Sequence, residues 1–203
     1  MFDRQLRLLK ARILVPSVRL LARILTPVQL TVLGLVAGLA SAVVLALQGP
    51  LIAAFLLWTT NRLADGVDGE VARERGEQSD YGGYLDIMAD VITYAAIPVG
   101  LALRLADPHT SLAVLVMIAF FYVNITSWSY LAALLEKRRA ASTTETTSVN
   151  MPRGVIEGAE TMLLYSVIIL WPQTTIVASW FGAGAALLSI AWRMLWAHRV
   201  LRN

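Results

Sequence analysis

The sequence feature that most constrains the fold is a succession of apolar runs, each about as long as a membrane-spanning helix. Hydrophobic residues make up 57% of the 203 residues and charged residues only 15%, with a mean hydropathy of +0.64. A soluble domain carries about 25% charged residues, so this composition does not fit a water-soluble globule. Because a helix of about 20 apolar residues crosses a bilayer, the chain has room for roughly six spans.

Six spans are predicted from the apolar runs and from the proline, glycine and polar residues between them. The second span turns polar at Asn61 and Arg62 without a turn signal, so we expect one continuous helix there. The short connection Trp171-Pro172-Gln173 predicts that the last two spans form an antiparallel hairpin. The spans are predicted at about 28–47, from 51 onward, and at about 82–103, 111–135, 155–171 and 174–196.

Residues 1–25 are basic and amphipathic, with apolar side chains at helical spacing from Phe2 to Ile13. Basic residues interrupt every apolar run that could serve a secretory signal. We therefore expect one or two helices, broken at Pro16, that lie on an anionic lipid surface. The alternative is a basic first turn that leads into the first span. The predicted organisation is an interfacial segment at 1–25 followed by a six-helix transmembrane domain at 26–203.

Positive charge is distributed unevenly over the two sides of the six predicted spans. Of the 17 lysine and arginine residues, only Arg104 falls on the second side. Because such residues are enriched in cytoplasmic loops, both termini are predicted to face the cytoplasm from the inner membrane. Contact with membrane lipids accounts for the net charge of +3, and no nucleic-acid partner is needed to explain it.

Four aspartates stand at helical spacing between the second and third spans. Asp65 and Asp68 share one helical face, and Asp86 and Asp90 share a face of the next helix. If the two helices form a hairpin through a turn near Gly76, the four carboxylates converge. The first face also holds two small residues and one guanidinium, those of Gly69, Ala72 and Arg73.

Four neighbouring carboxylates cannot all ionise at a membrane boundary unless cations neutralise them. The chain has no cysteine and two histidines, and a site made of oxygen ligands favours Mg²⁺, with Mn²⁺ as the alternative. Arg73 can neutralise phosphate oxygens, and metals beside an arginine suggest phosphoryl transfer. Asp90, at the apolar end, is the candidate general base. A solvated acidic hairpin with coincidental periodicity is the alternative interpretation.

These residues resemble the signature of the CDP-alcohol phosphotransferase family, Asp-x-x-Asp-Gly-x-x-Ala-Arg, eight residues, then Gly-x-x-x-Asp-x-x-x-Asp. All its fixed identities are present with the spacing intact, as Asp65, Asp68, Gly69, Ala72, Arg73, Gly82, Asp86 and Asp90. The resemblance implies an all-α integral membrane enzyme with six transmembrane helices preceded by an amphipathic interfacial N-terminal helix. Such an enzyme cleaves the pyrophosphate of a CDP-linked donor and releases CMP.

The resemblance also implies the roles of individual residues. The implied metal ligands are Asp65, Asp68, Asp86 and Asp90, holding two Mg²⁺ ions, with Mn²⁺ as the alternative. Asp90 is implied to be the general base as well. The implied nucleotide-binding residues are Thr31, Asp68, Gly69, Ala72, Arg73 and Ser79. The resemblance further implies a homodimer, and the active site would face the cytoplasm.

We expect transfer of a phosphatidyl group from CDP-diacylglycerol to a small alcohol. Val28 stands where many relatives have asparagine, and Ser129-Tyr130 is not followed directly by basic residues, which weakens the case for a phosphorylated acceptor. Arg153 and Glu157 could line an acceptor pocket. Alternatively, they form an i, i+4 ion pair at a helix end.

Three other functions are compatible with parts of the pattern. The reaction could move a phospho-alcohol from a soluble CDP-alcohol onto a lipid hydroxyl. The acids could belong to a divalent-cation carrier, although a carrier needs acids along a path. The protein could also be a catalytically silent scaffold that binds nucleotides.

The Gly34 and Gly38 pair could support a dimer contact or packing within the chain.

Overall fold

The computed structural model describes Val18 and residues 20–141, 154–156 and 158–202, with the backbone alone at 139–141. Over these residues the fold is all-helical, as predicted. A short 3-10 turn at Pro172–Thr174 joins the last two helices. The helices are α1 (Pro27–Ala46), α2 (Leu51–Arg75), α3 (Asp80–Leu105), α4 (Pro108–Ala141), α5 (Gly158–Leu170) and α6 (Thr175–Leu201).

Four of the described helices are long and apolar enough to cross a membrane, namely α1, α3, α4 and α6. The second half of α2 carries the polar and acidic residues of the motif, and α5 has only 13 residues. These lengths agree with a helical membrane protein. Six transmembrane helices remain a prediction.

The start of α1 follows the rules of helix capping. The Thr26 side chain accepts a hydrogen bond from the Gln29 N–H, and the Gln29 side chain accepts one from the Thr26 N–H. Pro27 is the first helical residue, where its missing N–H costs no helical hydrogen bond. The predicted helix start at Thr26-Pro27 is therefore confirmed, and the Gln29 side chain caps this helix.

The chain divides into two compact units after Arg104. In the first unit, glycines allow α1 to lie close to both of its neighbours. A Cβ on Gly34 would lie 3.1 Å from the Cβ of Ala64 on α2, and one on Gly38 would lie 2.6 Å from Thr93 on α3. The glycine pair thus serves packing within the chain, and the homodimer remains a prediction.

Residues 20–24 are helical and precede α1. Val18 and Ala22 belong to an apolar cluster with Leu30 of α1 and with two residues of α2, Val67 and Val71. This contact attaches the end of the predicted interfacial segment to the helices of the first unit. Residues 1–17 and 19 of that segment lie outside the described residues, so the amphipathic helix remains a prediction.

In the second unit, α6 packs closely on α4 and α5. A Cβ on Gly182 of α6 would lie 3.0 Å from the sulfur of Met117 on α4 and 3.2 Å from Leu164 on α5. Because the 3-10 turn at Pro172–Thr174 connects α5 directly to α6, this proximity supports the predicted hairpin.

Candidate active site

The turn between α2 and α3 brings the two acidic helices together. Gly76 ends α2 with a φ of 65°, a left-handed conformation that favours glycine. Its N–H donates to the Arg73 carbonyl, and the Glu77 N–H donates to the Ala72 carbonyl at 2.9 Å. The predicted turn near Gly76 is confirmed. Ser79 then opens α3, where its hydroxyl accepts the Gly82 N–H at 3.1 Å.

The four aspartates face one another across this hairpin. A small cleft of about 10 Å³ is lined by all four, with Thr31 and Asn61 also in its wall: Asp65, Asp68, Asp86 and Asp90. A space of this size holds about one water molecule or ion. The convergence expected from the helical spacing is therefore present.

Asp68 is held in place by two hydrogen bonds. The Thr31 hydroxyl donates to its Oδ2 at 2.6 Å, and the Gly69 N–H approaches its Oδ1 at 2.6 Å. The residue is only 5% exposed, and a carboxylate removed from water needs such partners. Because Thr31 lies on α1, a residue of the first helix holds Asp68, a candidate metal ligand on α2.

Asp90 is paired with an arginine from α2. The Nη2 of Arg62 donates to the Asp90 Oδ1 at 2.7 Å, and its Nη1 lies 3.6 Å from the Asp65 Oδ2. The Arg62 side chain is 7% exposed, and the Asp90 side chain is 32% exposed. One oxygen of Asp90 thus binds the arginine, while part of the carboxylate remains open.

The donor set fits a hard divalent cation in its chemistry. All four side chains offer oxygen, the ligand type that Mg²⁺ and Mn²⁺ prefer, and they share one cleft. Among the described residues, no three of the carboxylates are close enough to hold one ion as their side chains stand. Asp68 and Asp90 are also hydrogen-bonded to Thr31 and Arg62. Binding an ion therefore requires the carboxylates to move closer together.

A larger cavity of about 240 Å³ adjoins the acids on the side of the turn. It shares Thr31, Asp68 and Asp86 with the small cleft. Every residue predicted to bind the nucleotide lines it, namely Thr31, Asp68, Gly69, Ala72, Arg73 and Ser79. Val28, the departure from the family pattern, is also in its wall. A ligand in this cavity would lie directly beside the acidic cleft.

Arg73 is available to a ligand in the cavity. Its Nη2 lies 2.7 Å from a carboxylate oxygen of Glu70, but the two side chains are 56% and 50% exposed. An exposed pair of this kind contributes about 0 to 1 kcal/mol, so a phosphate can displace it at low cost. A Cβ on Gly69 would contact only the Arg73 guanidinium, at 3.8 Å.

The residues that surround Asp90 were not predicted from the sequence. Arg62 was predicted only as a cytoplasmic charge, whereas the structure places it in the acidic site, over the rings of Trp58 and Tyr94. Spacing offered a signal, since Arg62 precedes Asp65 by three residues and Tyr94 follows Asp90 by four. That periodicity shows a shared face but does not show which side chain on the other helix is the partner.

The structure does not describe the two residues predicted to bind the acceptor. Arg153 and Glu157 both lie outside the described residues. Their role in an acceptor pocket therefore remains a prediction.

A family model for CDP-alcohol phosphatidyltransferases matches residues 24–197, a stretch that contains the whole motif. The chain belongs to the CDP-alcohol phosphatidyltransferase family. The resemblance drawn from the motif is confirmed, and the protein is an enzyme of this family, a CDP-alcohol phosphotransferase.

The relatives of this protein support its assignment as a membrane transferase of phospholipid synthesis. Inner membrane protein YnjF of Escherichia coli (strain K12) is 34% identical over 159 residues, 78% of this chain and 73% of that protein. The crystal structure of Mycobacterium tuberculosis phosphatidylinositol phosphate synthase with CDP-DAG bound is 29% identical. It has a TM-score of 0.70 and covers 91% of this chain and 92% of its own. The same enzyme in complex with manganese and citrate, also 29% identical, has a TM-score of 0.68, with 88% and 86% covered.

Proposed function

We propose that this enzyme transfers a phosphatidyl group from CDP-diacylglycerol to a small alcohol and releases CMP. The observation that carries the proposal is the junction of two spaces, a cavity lined by all the predicted nucleotide-binding residues and a cleft lined by four aspartates. A donor bound across the junction would have its cytidine in the cavity and its pyrophosphate near the acids. The related synthase with CDP-DAG bound supports this choice of donor.

The chain's own residues bind and orient the donor in this proposal. Gly69 and Ala72 leave room on α2 for the nucleotide to approach the helix closely, because neither has a bulky side chain. Arg73 leaves Glu70 and donates to phosphate oxygens through its planar fork. Thr31 keeps Asp68 turned into the site by its 2.6 Å hydrogen bond.

Asp90 is the proposed general base. Its carboxylate takes the proton from the acceptor hydroxyl as the hydroxyl oxygen bonds to the phosphorus of the phosphatidyl group. The bond from that phosphorus to the bridging pyrophosphate oxygen breaks, and CMP leaves with the electron pair. One bond to phosphorus is formed and one is broken, and the proton remains on Asp90 until it passes to solvent.

Asp65, Asp68, Asp86 and Asp90 would hold Mg²⁺ or Mn²⁺, two ions as the family resemblance implies. When bound, such ions neutralise the charge that develops on phosphoryl oxygens. The manganese complex of the related synthase supports this use of a divalent cation.

The proposed setting is the cytoplasmic membrane, with six transmembrane helices and with the active site and both termini facing the cytoplasm. The charge distribution supports this orientation, since Arg104 is the one basic residue predicted on the far side. The name of the Escherichia coli relative also supports the inner membrane. A homodimer is part of the proposal.

The test is CMP release by the purified full chain in detergent or lipid nanodiscs. CDP-diacylglycerol is supplied with inositol, inositol phosphate, glycerol phosphate or serine, with and without Mg²⁺. We expect CMP release that depends on Mg²⁺ and on one of these acceptors. Release with CDP-alcohols and diacylglycerol instead would support the reverse direction. No metal-dependent CMP from any donor would contradict both.

Two variants test the assigned roles. Asp90→Asn should abolish CMP release while CDP binding persists, and retained turnover would remove the base assignment. Gly69→Ala should weaken CDP binding because the added methyl group occupies the cavity wall. Gly66→Ala is the matched control, since it is also on α2, has no atom within 4 Å of its Cβ position and does not line the cavity.

A further inference from the structure

Arg62 is a charged side chain enclosed within the acidic site. Its guanidinium lies over two adjacent aromatic rings, with its central carbon 4.8 Å from the centre of Trp58 and 4.9 Å from that of Tyr94. The side chain is 7% exposed. A guanidinium over an aromatic face gains cation–π stabilisation that grows as water is excluded. The aromatic contacts and the burial therefore hold the Arg62 side chain in this position.

Hydrogen bonds fix the guanidinium in its plane. The Nε donates to the Asn61 Oδ1 at 2.8 Å, the Nη1 to the Tyr94 hydroxyl at 2.8 Å and the Nη2 to the Asp90 Oδ1 at 2.7 Å. Asn61 is itself anchored, because its Nδ2 donates to the Gly34 carbonyl at 2.9 Å and the residue is 2% exposed. Three acceptors on two helices thus determine the orientation of Arg62.

This arrangement makes the two oxygens of Asp90 different. The Oδ1 accepts the hydrogen bond of Arg62, so we expect a cation or a substrate proton to bind at the Oδ2. The positive charge of Arg62 also lies 3.6 Å from the Asp65 Oδ2. A fixed positive charge next to two carboxylates lowers their attraction for a divalent ion.

We propose that Arg62 is a positioning residue that holds Asp90 by one oxygen and, through its fixed charge, weakens the binding of divalent ions to the site. The positioning part rests on the proposed function, because it acts through Asp90 as the base. The charge part concerns metal affinity alone. Loss of the arginine should therefore tighten metal binding and slow turnover, whereas structural damage would weaken both.

The experiment compares Arg62→Met and Arg62→Lys with the wild type as full chains in detergent. Binding of Mn²⁺ alone is followed by the electron paramagnetic resonance signal of the free ion, and kcat is measured by CMP release. Arg62→Met should bind Mn²⁺ at least about threefold more tightly because a nearby positive charge is lost. Its kcat should fall at least about tenfold because the base is no longer held in place.

Arg62→Lys separates charge from geometry. It keeps the charge, so its Mn²⁺ affinity should stay near that of the wild type. Its kcat should still fall, because an ammonium group lacks the planar fork. Arg104→Met is the matched control, since Arg104 lies on α3 and donates to the Gly49 carbonyl at 2.9 Å, outside the acidic site. Both of its values should remain at the wild-type level.

Each outcome decides part of the proposal. Unchanged Mn²⁺ affinity in Arg62→Met would overturn the charge effect, and unchanged kcat in both Arg62 variants would overturn the positioning role. Weaker metal binding together with slower turnover would indicate a purely structural role and overturn both. If Arg62→Met does not fold, Arg62→Lys and Tyr94→Phe test positioning, with lower kcat and unchanged Mn²⁺ affinity expected. A wild type that binds Mn²⁺ but releases no CMP would contradict the proposed function, and the affinity comparison would still stand.

Discussion

Replacing Thr31 by valine should impair metal binding without changing the size of the side chain. The substitution exchanges a hydroxyl for a methyl group and removes the hydrogen bond to the Asp68 Oδ2. At 2.6 Å this is a short contact, and the Pro27 carbonyl, at 3.2 Å, is the more distant acceptor for the same hydroxyl. The Thr31 hydroxyl therefore donates its hydrogen bond to the Asp68 carboxylate.

The size of the effect follows from the burial of that carboxylate. Asp68 is 5% exposed, so water cannot fully replace the lost donor. A hydrogen bond to a charged group contributes about 1.5 to 3 kcal/mol, which corresponds to about a 10- to 140-fold change in an equilibrium constant. Loss of a residue that orients a metal ligand lowers metal affinity by about 10- to 100-fold. We expect the Mn²⁺ affinity of Thr31→Val to fall within this range.

The assay is Mn²⁺ titration of the purified variant, followed by CMP release as a function of MnCl₂ concentration. Thr31→Ser keeps the hydroxyl and should remain close to the wild type. Thr59→Val is the matched control on α2, because its hydroxyl donates only to the Phe55 carbonyl at 2.8 Å. Wild-type metal dependence in Thr31→Val, or equal impairment in Thr31→Ser, would refute the assignment of this hydroxyl to Asp68.

Further predictions concern packing, the first segment and the metal. Gly100→Ala should destabilise the fold by about 1 to 3 kcal/mol, because its new Cβ would overlap the backbone of Ala42 on α1. Gly83→Ala on the same helix α3 meets no atom within 4 Å, and equal melting temperatures for the two variants would contradict this. Arg75→Met removes a 2.8 Å hydrogen bond to the Ala22 carbonyl and should cost about 1 kcal/mol. Hydrogen exchange should rise at residues 21–25, and unchanged exchange would argue against the contact. Removal of divalent ions with EDTA should abolish CMP release, and Mg²⁺ or Mn²⁺ should restore it; activity that persists in EDTA would exclude a metal role.

The positions of most helices could be predicted because their causes are local. Proline can occupy the first turn of a helix, and glycine tolerates the left-handed conformation that ends one. Thr26-Pro27 and Gly76 therefore marked the start of α1 and the end of α2. The four-residue spacing of Asp86 and Asp90 placed them on one helical face for the same reason, since helical geometry repeats every 3.6 residues.

Helical periodicity and motif spacing were enough to predict an all-helical fold, the faces on which the acids lie and the family, because both are properties of single segments. Which side chains meet across those faces depended on how the helices pack together. Thr31 donates to Asp68 across 37 positions, and Arg62 donates to Asp90 across 28. Such pairs depend on how closely one helix packs against another, and this distance is fixed by small residues such as Gly34 and Gly38 and by the turn between helices.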